Sequence, residues 1–145
     1  MMIMQWHNLL NFLIYFGVSI PLLGVGMYLF MLTTRYKEFV LMGDGADGAD
    51  CRKPAAAQAA AYDIGGKLLG LGIMMASAIF HAANILDLAI WAFIGIVFQI
   101  IVFYLYEGIT PFKNVEEIPK GNVAVGILSA FISITSGIIM AALIS

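Results

Sequence analysis

Charge is what this sequence lacks most. Of 145 residues only 11% are Asp, Glu, Lys or Arg, while 62% are hydrophobic. A soluble domain carries roughly 25% charged residues, so a water-dressed globular fold is excluded. Seven basic residues against nine acidic ones leave a net charge of −2, which argues against a nucleic-acid partner. A single cysteine, Cys51, excludes an internal disulfide. Catalytic signatures are missing too. There is no nucleophile elbow, Walker loop, metalloprotease helix or haem-attachment motif. The glycines of Ile64-Gly65-Gly66-Lys67-Leu68-Leu69-Gly70 follow no strand and are not a phosphate loop. No enzyme, bound cofactor or metal centre is expected.

What the chain has is four apolar stretches, each near or above the roughly 20 residues that cross a bilayer core. They run over about Leu9–Thr34, Ala59–Leu86, Leu88–Tyr106 and Asn122–Ile144. Their hydrophobicity does not alternate, so they read as helices rather than barrel strands. The apolar run from Asn8 to Thr34 has no basic region before it and is too long for a signal sequence. It is expected to stay as the first helix, kinked at Pro21, which removes a backbone donor.

All seven basic residues lie in or beside two loops. Arg35, Lys37, Arg52, Lys53 and Lys67 surround the first; Lys113 and Lys120 occupy the second. The positive-inside rule places both long loops in the cytoplasm and both termini outside. The halves also resemble each other. Tyr28-Leu29-Phe30 precedes Thr34-Arg35-Tyr36-Lys37 as Tyr104-Leu105-Tyr106 precedes Thr110-Pro111-Phe112-Lys113, at one constant offset. The expected architecture is all-α: a four-helix transmembrane protein built as a parallel tandem repeat of two helical hairpins. One membrane domain spans 1–145, with hairpins at 8–86 and 87–145.

Between the first two spans lies a loop rich in glycine and aspartate, 43–54, expected to be mobile. Asp44, Asp47 and Asp50 do not have EF-hand spacing, so a solvated loop is the better reading.

Small residues recur at helical spacing. Ser129, Ser133, Gly137, Ala141 and Ser145 share one face of the last span; Gly66, Gly70, Ala78 and Ala82 share one face of the second. Such faces let backbones approach closely. These two spans are expected to be the tightly packed pair, or to form a subunit contact.

Polar residues inside the spans are the functional clues, because charge in hydrocarbon is costly. Asp63 and Lys67 stand four apart and can pair. They are read as an interfacial pair with Lys67 snorkelling to headgroups; a substrate or proton site is the alternative. Gln99, midway along the third span, is expected to bond Ser133, Thr135 or Ser136, or else to line a pore. His7, His81, Asn84 and Asp87 should gather at the outer end as interfacial polar groups. Glu107 should be interfacial at the opposite end.

The runs Gly66-Lys67-Leu68-Leu69-Gly70, Ala76-Ser77-Ala78, Asp87-Leu88-Ala89-Ile90-Trp91, Phe98-Gln99-Ile100-Ile101-Val102-Phe103, Asn122-Val123-Ala124 and Gly137 with Ala141-Ala142 resemble the YjfL-like family. These are small bacterial inner-membrane proteins assigned to domain of unknown function 350. The resemblance covers roughly Tyr28 to the C-terminus. It implies four spans as tandem hairpins, a bacterial inner membrane and a context of envelope stress, but no settled activity. Two functions stay open. One is a non-enzymatic protein that self-associates, or scaffolds a membrane complex, in envelope homeostasis. The other is a subunit of an oligomeric channel or transporter for ions or small solutes. The expected partners are the lipid bilayer and a second copy or other membrane chain.

Overall fold

A computed structural model describes residues 2–45, 50 and 52–145. The helices in chain order are α1 (Met2–Thr33), α2 (Glu38–Asp44), α3 (Arg52–His81), α4 (Ile85–Ile109), α5 (Asn114–Glu117) and α6 (Val123–Ile144). Four are long and apolar enough to cross a membrane: α1 from Gln5 onward, α3, α4 and α6. No strand occurs among the described residues. The centre of the Asp/Gly loop, including Asp47 and Cys51, lies outside them.

Helix ends differ from the hydropathy reading for local reasons. α3 begins at Arg52 rather than near Ala59, because Ala55–Ala61 are strong helix formers that carry the helix past the membrane boundary. It stops at His81 rather than Leu86. Asn84 then caps α4, its Oδ1 accepting from the Asp87 N–H at 2.9 Å, while Asp87 Oδ2 accepts from the Ala83 N–H at 2.9 Å. That reciprocal cap sets the turn. Asn84 and Asp87 are thus occupied as caps, and His81 bonds the Ser77 carbonyl within its own helix. α2, inside the first loop, has no counterpart in the sequence reading. α1 is helical through Pro21, whose missing N–H leaves the Gly17 carbonyl without its usual partner.

The centre of the fold is the pair α3 and α6. They run parallel: Asp63 meets Ser129, Gly70 meets Ser133 and Gly137, and Ser77 donates to the Ala141 carbonyl at 2.7 Å. Their backbones touch. An added Cβ at Gly66 would lie 2.2 Å from the Ala130 Cα, and one at Gly70 2.3 Å from the Ser133 carbonyl oxygen. One at Gly137 would lie 2.3 Å from the Gly70 oxygen, and one at Gly126 2.4 Å from that of Ala59. Such closeness permits dispersion and weak Cα–H···O contacts that lipid cannot supply. Gly66, Gly70, Ser129, Ser133 and Gly137 of the expected ladders lie in this contact, and Ala78 is fully buried. Ala141 is half-buried at its end. Gly126 and Ala59 belong to the contact as well.

α4 returns antiparallel to α3, with Gly95 against Met74. α1 lies along both, Gly26 facing Leu71 and Ile96. Leu71, Met74, Ile96 and Met140 close the middle of the bundle, and Met75, Ala78, Leu88 and Ala92 the end beyond it. α1 and α4 finish at the same end as α2 and α5, the loop end.

Candidate functional site

The loop end holds a buried charge cluster. α1 stops at Thr33, and the Thr34 N–H bonds back to the Phe30 carbonyl at 3.1 Å. The chain bends through Arg35–Lys37 and turns into α2. This bend tucks Tyr36 under the bundle, where its hydroxyl donates to Asp63 Oδ2. Thr34 donates to the buried carboxylate of Glu38 on the same bend.

Asp63 is 0% and Lys67 1% exposed, and Lys67 Nζ lies 2.6 Å from Asp63 Oδ2. The Ser129 hydroxyl of α6 donates to the other oxygen, Oδ1. Three donors from α3, α6 and the α1–α2 bend therefore converge on one carboxylate. The Lys67 ammonium also sits 4.9 Å from the Phe103 ring centroid and 5.8 Å from that of Phe30, within reach of cation–π attraction. Burial first, then the Asp63 carboxylate, holds the Tyr36 phenol well above its usual range.

Lys67 does not snorkel. Its stem follows the inner face of α3, where Tyr36, Ser129 and the two rings enclose the head. Taking both ions from water costs several kcal/mol per ion, so the hydroxyl donors are what make the placement tolerable. The surface clefts that flank the cluster include neither residue. One runs beside Tyr62, Gly66 and Phe131, another beside Met31, Phe39 and Ile64, a third beside Thr33, Arg35 and Phe103.

Gln99 sits deeper, 2% exposed, beside Gly70. Neither end of its amide has a hydrogen-bond partner. None of Ser133, Thr135 and Ser136, the expected partners, bonds it, and Ser136 turns its proton to the Ser133 carbonyl of its own helix at 2.8 Å. Thr135 lines a lipid-side cleft with Phe98 and Phe131. Asp63 and Lys67 thus form one cluster and Gln99 stands apart from it. Glu107 does more than sit at an interface: its Oε1 accepts from the Asn114 N–H at 2.6 Å, tying the end of α4 to α5.

Sequence reasoning missed Tyr36 and Glu38, and took Ser129 only as a packing residue. A signal was available. A buried acid needs donors, and Thr34, Tyr36 and Ser129 are hydroxyls at the loop ends of spans.

With this geometry in hand, the sequence model for a Domain of Unknown Function, DUF350, matches residues 3–144. The chain belongs to the DUF350 family. It is 30% identical over 139 residues to the UPF0719 transmembrane protein YshE of Bacillus subtilis (strain 168), covering 94% of this chain and 96% of that protein. No solved structure matches. A DUF350 chain with these helices is an integral membrane protein, and the Asp63 cluster is a closed feature of its interior.

Proposed function

We propose that this protein is a non-catalytic membrane unit that works by association, with a second copy of itself as the first partner. The observation that carries this is a groove of about 480 Å³ between α1 and α3, lined by Asn11, Phe12, Tyr15, Phe16, Ser19, Ile20 and Ile79. The Ser19 hydroxyl is buried at its wall without a hydrogen-bond partner. Only 11% of the α1 span is buried, against 44% for α3. A helix from a neighbour would fill the groove and cover the exposed Phe12, Phe16 and Ile20. Native mass spectrometry in mild detergent tests this. A dimer or larger assembly is expected; a monomer at every protein concentration contradicts it.

The topology belongs to the same proposal: a bacterial inner membrane, both termini outside, the loop end in the cytoplasm. The clustering of basic residues at the loop end supports it. A membrane-impermeant maleimide should then label Cys51 only after cells are opened. Tandem duplication of a hairpin is supported by α2 and α5 starting at Glu38 and Asn114, the same offset that relates Tyr28 to Tyr104. A role in envelope homeostasis fits a protein that acts by assembly.

The buried Asp63–Lys67 pair favours a second reading, a transport subunit, because intramembrane charge often marks an ion or proton path. Against it, Leu71, Met74, Ile96 and Met140 form an apolar cluster in the middle of the bundle, beyond the Asp63 cluster. Any path would have to run between copies. Proton flux in proteoliposomes, abolished by Asp63→Asn, would establish that reading over the first.

A further inference from the structure

At the loop end a second polar feature stands apart from the Asp63 carboxylate. A cleft of about 480 Å³ opens between the ends of α1 and α4, and both signs of charge line it: Arg35 and Lys113, with Glu107 and Glu116. Phe103 and Tyr104 form part of its wall. Arg35 and Lys113 are exposed, and neither has an ion-pair partner among the described residues. Glu107 spends Oε1 on the Asn114 N–H and keeps a second oxygen. The cleft lies where two membrane-length helices end, the level at which a bilayer around them would put its headgroups, and Tyr104 is an aromatic typical of that level.

We propose that this cleft binds the headgroup of an aminophospholipid, phosphatidylethanolamine in kind. The phosphate meets Arg35 and Lys113, and the primary ammonium donates to Glu107 and Glu116. The paired signs choose the ligand. A purely anionic headgroup would satisfy the cations but would face two carboxylates. A choline headgroup carries the charge but has no N–H to donate. Only a zwitterion with a primary ammonium answers all four side chains.

The full chain in nanodiscs of equal parts phosphatidylethanolamine, phosphatidylcholine and phosphatidylglycerol tests this, with the bound lipids identified by native mass spectrometry. Phosphatidylethanolamine should be enriched roughly two- to fivefold over its share, the scale of an exposed charge contact. Glu116→Gln should lose the preference over phosphatidylcholine while still retaining phospholipid. Arg35→Ala with Lys113→Ala should lower retention of all three. These positions are exposed, so unchanged melting will show that each variant folds. Enrichment of phosphatidylglycerol, bound lipid that mirrors the disc, or a Glu116→Gln profile equal to wild type would each overturn the assignment.

Discussion

Lys67 reaches Asp63 one helical turn back along α3, 2.6 Å from nitrogen to oxygen, and neither side chain touches lipid or water. The pair is closed by groups from other elements, Tyr36 below and Ser129 alongside. The physics of such a pair is asymmetric. Replacing both ions with apolar groups is often tolerated, whereas removing one strands the other in a low-dielectric interior.

Lys67→Met alone should therefore destabilise the bundle by about 3–5 kcal/mol, and Asp63→Leu alone by a comparable amount. The double variant should recover much of that loss. Thermal unfolding in detergent reads all three. Strictly additive losses would show that the two charges do not hold one another.

The glycines of the α3–α6 contact give a second contrast. At Gly70 and Gly137 a new Cβ meets carbonyl oxygens at 2.3 Å, while at Gly72 nothing lies within 4 Å. Gly70→Ala or Gly137→Ala should cost about 1–3 kcal/mol by overpacking. Gly72→Ala should be neutral or slightly stabilising, since alanine favours the helix. Leucine at position 70 or 137 should prevent the pair from forming. Equal melting of the Gly70→Ala and Gly72→Ala variants would contradict the packing described.

These features were unequally legible in the sequence. The spans were visible because lipid leaves the backbone few choices, and the small-residue faces because their spacing is helical. The Asp63–Lys67 pairing followed from a separation of four, but its burial did not. Which way Lys67 points depends on Tyr36, supplied by a bend, and on Ser129, supplied by another helix. α2 is seven residues long, too short for periodicity to register. Gln99 was assigned partners by proximity alone, whereas the Ser136 proton is directed to a carbonyl of its own helix.

Acid should loosen the loop between α4 and α6. Lys120 donates to Glu117 at 2.7 Å and Asn122 Nδ2 donates at 3.1 Å. The Lys120 hydrogen bond first, then that of Asn122, holds the Glu117 carboxyl below its ordinary 4.5. A lowered carboxyl value means the stabilisation is present above 4.5 and is lost as pH falls through the lower folded value. Lys120 is raised above 10.5 by the same bond, so its share persists until strongly alkaline pH. Limited proteolysis between Glu117 and Asn122 should accelerate in acid for wild type, and Glu117→Gln should flatten that dependence. Identical profiles would remove Glu117 from the account.

Association through the α1 groove is tested most directly by disulfide trapping in native membranes. With Cys51 replaced by serine, Phe16→Cys places a thiol on the groove wall. Leu143→Cys places one on exposed α6, next to Ile144, which packs in the same cluster as Tyr15. Mild oxidation should give a covalent dimer from Phe16→Cys and little from Leu143→Cys. Equal trapping at both positions, or none at Phe16, would contradict a protein that works by pairing along α1.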